Sequence, residues 1–287
     1  MAVPALLVFL LFSYVPLLGN VIAFQDYLPF IGISQSPFVG LANFATLFQD
    51  PAFWRSVGNT LVITALNLTL FFPVPIALAI LLDSMVADRV RKIVQGVVFL
   101  PHFISWVVIV TLFTQVLGTA GIVSHTLQDN GFAPLDIIGN PSAFKLVLVS
   151  QVIWKDAGWA CVIFLAALSA IDPQRYESAA IDGAGYWRRM WHVTLPGIRP
   201  TIMILLILRL GDALSVGFEQ VLLQRDSVGP EAGDVLDTYT YFFGVVGGNW
   251  SVAAAAGLFK GVIGLALVLG ANKVAHLLGE EGVYTRR

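Results

Sequence analysis

Apolar positions in this chain fall into long uninterrupted runs. They show neither the period-two alternation of half-buried strands nor the narrow stripe of a soluble helix. Six runs approach the ~20 apolar residues that carry a helix across the hydrocarbon core of a bilayer. They lie at about 2–24, 60–82, 93–117, 144–170, 201–223 and 251–277. The pattern predicts an all-α membrane protein, one domain over residues 1–287, with six transmembrane helices. Pro73 and Pro75 sit inside the second run, which predicts a kinked span whose freed carbonyls are satisfied by neighbours. The first run is too long and lacks the basic leader of a cleaved signal peptide. The chain opens abruptly at a span, so the true start stays open.

Composition agrees with the pattern. Hydrophobic residues make up 57% of the chain and charged residues 12%, against about 25% charged in a soluble domain. Net charge is −2, which gives no reason to expect a nucleic-acid partner. The single cysteine, Cys161, excludes an internal disulfide, and the four histidines show no metal-ligand spacing.

Lysines and arginines set the expected orientation. With the N-terminus inside, the inner segments hold Arg89, Arg91, Lys92, Arg175, Arg188, Arg189, Arg199, Lys273, Arg286 and Arg287. The outer ones hold Arg55, Lys145 and Arg225. Ten against three predicts cytoplasmic termini. The outer stretch "FVGLANFATLFQDPAFW" predicts short surface helices.

One inner segment, residues 172–200, is unlike its surroundings. Asp172 is a good N-cap and Pro173 suits the first helical position. A helix through Tyr176, Glu177, Ser178, Ala179, Ala180 and Ile181 is expected to end at Gly183 or Gly185 in a left-handed turn. A second helix carries Tyr186, Trp187, Arg188, Arg189, Met190 and Trp191 and is expected to break at Leu195-Pro196. The result is a helix–turn–helix along the membrane face, with small residues that admit a close-packed partner.

"ESAAIDGAGYWRRMWHVTLP" resembles the EAA motif of ABC-importer permeases. Glu177, Ala179, Ala180, Gly183, Leu195 and Pro196 fall on it, Asp182 lies within it, and Ser178 replaces its first alanine with another small residue. "FVGLANFATLF", "FWRSVGNT", "LPHFISWVV", "GFEQVLL", "GDVLDTY" and "LGEEGVY" resemble sugar-importer permeases, and most of them the branch for oligosaccharides and polysaccharide fragments. The resemblance implies the six-helix type I importer fold of maltose-transporter-like permeases. It implies that residues 172–200 dock on a separate ATPase and transmit its motion. The implied partners are a second homologous permease, two ATP-binding subunits, an extracellular solute-binding protein and a carbohydrate. The implied place is a bacterial inner membrane. No G-x-x-x-x-G-K-[ST] occurs in this chain. No cofactor is expected on it, ATP and Mg are expected on the partner, and the chain itself is not expected to be an enzyme.

Charges inside the predicted spans need partners or a wet surface, because an ionised side chain at a helix centre costs about 2.5–3.5 kcal/mol on insertion scales. Lys155 and Asp156 fall in span four, Arg209 and Asp212 in span five, and Lys260 in span six. Arg209 and Asp212, three apart, are placed to meet on one helix face. One reading is a neutral polar network. The other is a substrate path built from Trp154, Asp156, Trp159, Arg209, Asp212, Phe218, Glu219 and Gln220, with aromatic faces for sugar rings and polar groups for hydroxyls. The acidic, aromatic "GDVLDTYTYFFGVVGGNW" either meets an outer partner or seals the bundle. An ion-coupled secondary transporter with a proton site at Asp156 or Asp212 is the alternative function. A membrane enzyme lacks a nucleophile–base set.

Overall fold

A computed structural model describes residues 3–277 together with Gly279 and Gly282. Arg286, Arg287 and most of "LGEEGVY" lie outside the described residues. Six helices are long and apolar enough to cross a membrane: Val3–Phe24, Pro51–Asp83, Trp106–Asp129, Pro141–Ser169, Tyr186–Gly211 and Trp250–Leu277. Among the described residues the only sheet-like pairing is an isolated bridge between Gln25 and Phe38.

Spans one, four and six begin and end within a few residues of expectation. The other boundaries moved, for identifiable reasons. Span two starts at Pro51, not near residue 60. The Asp50 side chain accepts from the Ala52 N–H at 2.8 Å, and Pro51 fills the first turn. The outer stretch therefore contributes one short helix, Ala42–Gln49, and the first turns of a span.

Span three is broken, not continuous. Asp88–Phe99 ends in a 3₁₀ turn at Leu100–Phe103, and Trp106–Leu117 restarts behind Ser105. Pro101 supplies no N–H there.

Span five begins at Tyr186 and ends at Gly211, so the expected break at Leu195-Pro196 does not occur. A π-turn at Met190–Thr194 runs directly into Leu195–Gly211. Wide turns also occupy Leu10–Tyr14 and Asn67–Phe71. Each of these three ends two residues before a proline, Pro16, Pro73 or Pro196. A proline cannot return an i→i−4 bond, and bonds reaching one residue further let the helix pass it. In span two, the Phe72 N–H reaches the Asn67 carbonyl at 2.9 Å.

The bundle packs at both ends. At the end that carries residues 172–200, Leu82, Cys161, Phe164, Leu168 and Ile198 form one apolar cluster. At the opposite end, Phe53, Val57, Leu236, Tyr239 and Val252 form another. Between them, Gly158 lets span four touch the helix before the break, since a Cβ there would lie 2.1 Å from the Val98 carbonyl oxygen. Span one is different, because from residue 3 to 18 every side chain is exposed. Only its far end, around Ala23, joins the core.

Candidate coupling segment and membrane cleft

Residues 172–200 build a short helix, a tight reversal and a long helix. The Asp172 carboxylate accepts from the Gln174 N–H at 2.9 Å and caps Pro173–Ile181. At the other end the Gly183 N–H reaches the Ala180 carbonyl at 3.0 Å and the Ala184 N–H reaches that of Ala179 at 2.9 Å. With Gly183 at φ +73°, this is a Schellman cap, and its left-handed position favours glycine and strains most side chains, asparagine least. Glu177, Ser178, Ala180, Asp182 and Gly183 are exposed, and Ala179 is half-buried. Ile181, Trp187 and Trp191 stand out at 87%, 69% and 62% exposure, an apolar surface that a partner would cover.

The segment is wired to the spans. The Tyr176 hydroxyl lies 3.0 Å from Thr194 Oγ1 at the base of span five. Leu195 packs on the cluster that joins spans two, four and five, whereas Pro196 is exposed. A cleft of about 190 Å³ separates Ser84 at the end of span two from Tyr176 and Tyr186. Motion of the short helix thus has solid contacts through which to reach the membrane.

The intramembrane charges divide into two groups. Lys155 is buried and donates from Nζ to the carbonyls of His102 (2.8 Å) and Ile104, both on the break in span three. Its neighbour Asp156 lies 2.9 Å from His102 Nδ1. The His102 ring stacks on Trp159 with centroids 4.7 Å apart and planes at 2°. Lys155 therefore satisfies carbonyls that the 3₁₀ turn leaves unbonded. Lys260 pairs with Asp237, which lies on a different element, the short helix Leu236–Tyr239.

Arg209 and Asp212 form the second group, and the expected ion pair between them is absent among the described residues. The helix ends between them at Gly211, and Asp212 occupies the C-cap. The Arg209 guanidinium instead lies 4.9 Å from the Phe71 ring centroid. Both residues are exposed and line a cleft of about 300 Å³ with Phe71, Pro75 and Trp159. The cleft lies at mid-depth. Trp159 is ten residues from Ser169 and Phe71 twelve from Asp83, about 15–18 Å at 1.5 Å per residue. Lipid cannot face this pair cheaply, so the cleft belongs to a partner or to a path.

The remaining path candidates lie elsewhere. Trp154 packs against Phe113 at 6.1 Å and lines a separate groove with Pro101 and Gly158. Phe218, Glu219 and Gln220 sit on a short helix, Phe218–Leu222, after the left-handed Gly217. They are therefore outside span five, where the continuous apolar run had put them. Phe218 is in edge contact with Tyr241, Glu219 is exposed and Gln220 is buried. The Gln220 amide donates to the Leu148 carbonyl at 2.9 Å and to Gln151 Oε1 at 2.7 Å, and Gln151 in turn bonds Gln224. This buried amide knot holds the short helix on span four.

The segment around "GDVLDTY" seals the bundle. Asp234 takes two bonds from Arg225, whose guanidinium pK is raised chiefly by that hydrogen bond. Thr60 on span two accepts from the Leu236 N–H at 2.9 Å. Burial first, and then the Asp50 carboxylate that accepts its hydroxyl at 2.7 Å, raise the Tyr239 phenol above the ordinary tyrosine range. Among the described residues no group of three His, Cys, Asp or Glu side chains is placed to hold a metal ion.

This architecture has close relatives. Residues 72–272 match the family model described as binding-protein-dependent transport system inner membrane component. The chain is 46% identical over 285 residues to the polygalacturonan/rhamnogalacturonan transport system permease protein YteP of Bacillus subtilis strain 168, covering 99% of this chain and 89% of that one. It is 30% identical over 283 residues to the arabinooligosaccharides transport system permease protein AraP of the same organism, covering 97% and 88%. Its backbone is similar to a chain of the bacterial alginate ABC transporter in complex with an alginate pentasaccharide-bound periplasmic protein. The TM-score is 0.89, the identity 38%, and the coverage 99% of this chain and 95% of that one. These likenesses do not favour the ion-coupled alternative, and they make the chain a multi-pass inner-membrane transport component, not an enzyme. Alike over nearly its whole length, and matched through both its coupling segment and its cleft, the chain belongs to the binding-protein-dependent transport system inner membrane component family.

Proposed function

We propose that this chain is one of two permease subunits in an ATP-driven importer of oligosaccharides released from acidic polysaccharides. The observation that carries the proposal is the capped helix Pro173–Ile181, exposed at Glu177, Ser178 and Ala180 and tied to span five through Tyr176 and Thr194. Such a helix is built to receive motion from outside the chain. The ATP and Mg belong to two separate ATPase subunits, one of which grips Glu177, Ser178, Ala179, Ala180, Asp182 and Gly183. Loop charge sets both termini in the cytoplasm. A solute-binding protein delivers sugar on the opposite side.

Span one supports a permease partner, because its residues 3–18 are exposed along their whole length and offer an apolar surface to another chain. The acidic substrate class rests on the likeness to permeases whose systems carry polygalacturonan and alginate fragments. The test is purification of the chain from its native membrane in mild detergent, with mass spectrometry of what accompanies it. An ATPase, a second permease and an exported binding protein are expected. Recovery of the chain alone, active in uptake, would overturn the proposal.

A further inference from the structure

We infer that the cleft between spans two, four and five is a uronate subsite in which Arg209 reads the sugar carboxylate and Trp159 carries the ring. The inference rests on the acidic-oligosaccharide reading above and assigns it to particular side chains.

Three independent features of the cleft point to a ligand of this kind. Arg209 is a mid-depth cation that has no carboxylate partner among the described residues, and its planar guanidinium is braced by the Phe71 ring at 4.9 Å. A braced guanidinium keeps its forked donors free for one planar anion, and a carboxylate matches that fork. Trp159, which lines the same cleft, is backed by His102 at 4.7 Å and 2°, and His102 is itself held by Asp156 at 2.9 Å. The indole is a fixed platform, still half exposed. Pyranose rings present an apolar C–H face that packs on such a surface. Finally, an adjoining pocket shares Phe71, Phe72, Arg209 and Asp212 and adds Asn67, whose buried Oδ1 has no hydrogen-bond partner. Asn67 brings an amide to the lining of that pocket, a polar group of the kind that pairs with sugar hydroxyls, beside the apolar Phe71 and Phe72.

Asp212 completes the site. Its carboxylate accepts hydroxyls and leaves the empty cleft near neutral. The attraction for a uronate is therefore moderate, which suits a path the sugar must leave. A neutral sugar finds the same platform and hydroxyl partners but leaves the guanidinium unpaired.

The experiment uses the complete transporter in proteoliposomes. Trigalacturonate and its carboxyl-reduced counterpart are compared as probes. The wild type is expected to prefer the acid. Arg209→Gln is expected to lower that preference by roughly tenfold or more, the worth of a charge-assisted bond, chiefly through KM. Arg209→Lys, which keeps the charge without the fork, is expected to retain an intermediate preference. Co-purification with the sister permease is followed in each variant. An Arg209→Gln transporter that keeps the wild-type preference overturns the role of Arg209 while leaving the substrate class standing. Loss of the sister permease from Arg209→Gln and Arg209→Lys alike overturns it as well, by making the residue an interface contact. A wild type that does not favour the acid overturns the acidic-substrate reading, and this assignment with it.

Discussion

Lys155 in span four donates to the main-chain carbonyl of His102 at 2.8 Å, across the break in span three. The ammonium is buried and also serves Ile104, so one side chain closes two orphaned acceptors. Lys155→Met leaves both carbonyls buried without a donor and is expected to destabilise the protein by about 3 kcal/mol. Thermal unfolding in detergent measures it. An unchanged midpoint would mean that water or lipid headgroups satisfy the break.

A second expectation concerns Gly183. Its φ of +73° is closed to a β-branched side chain, although the space around it is open. Gly183→Val should therefore cost about 1–2 kcal/mol locally, loosening the short helix without touching the membrane core. Gly183→Asn should be tolerated. The readout is sugar-stimulated ATP hydrolysis by the assembled transporter. Gly183→Val is expected to uncouple it while the chain still inserts. Full coupling in Gly183→Val would show that the cap is dispensable.

Gly158 and Gly257 make a matched pair for packing. A methyl group on Gly158 would press on the Val98 backbone at 2.1 Å, whereas one on Gly257 meets nothing within 4 Å. Gly158→Ala should force spans three and four apart, costing about 1–3 kcal/mol. Gly257→Ala should be neutral or gain a few tenths of a kcal/mol through helix propensity. Equal melting temperatures for the two variants would contradict the close contact.

Tyr239 gives the chain a defined alkaline response. Its phenol is held protonated in the fold, above the ordinary range. A raised folded pKa stabilises fully below the unfolded value, about 10, and that contribution fades as pH rises past it. Tyr239→Phe removes the bond to Asp50 and should cost about 1–2 kcal/mol at pH 8. Melting curves of the wild type and Tyr239→Phe should converge between about pH 10 and the folded pKa. Parallel curves across that range would refute the assignment.

Much of this was legible in the sequence, because six apolar runs have one physical explanation. The coupling segment was equally plain, since Asp172, Pro173 and Gly183 each do locally what their chemistry prefers. Two kinds of information were not local. Hydropathy is blind to backbone geometry, so the apolar run from Thr201 to Leu223 hid the end of the helix at Gly211 and the turn at Gly217. Partners of intramembrane charges come from other elements. Lys155 pointed to a need, but His102 lay 53 residues away and Asp237 lay 23 residues from Lys260. The one available signal was Pro101 inside an apolar run, which marks carbonyls in want of a donor.

The three wide turns ahead of Pro16, Pro73 and Pro196 have an evolutionary consequence. Each turn and its proline form one unit, an inserted residue and the ring that makes the insertion useful. Replacing the proline alone leaves a widened turn with nothing to hold it open. Deleting a residue alone drives the ring into the turn before it. Either half does exist alone elsewhere in the chain, a wide turn at Thr240–Val246 and a helical proline at Pro200, so it is at these three sites, where both occur, that the two changes are expected to appear together.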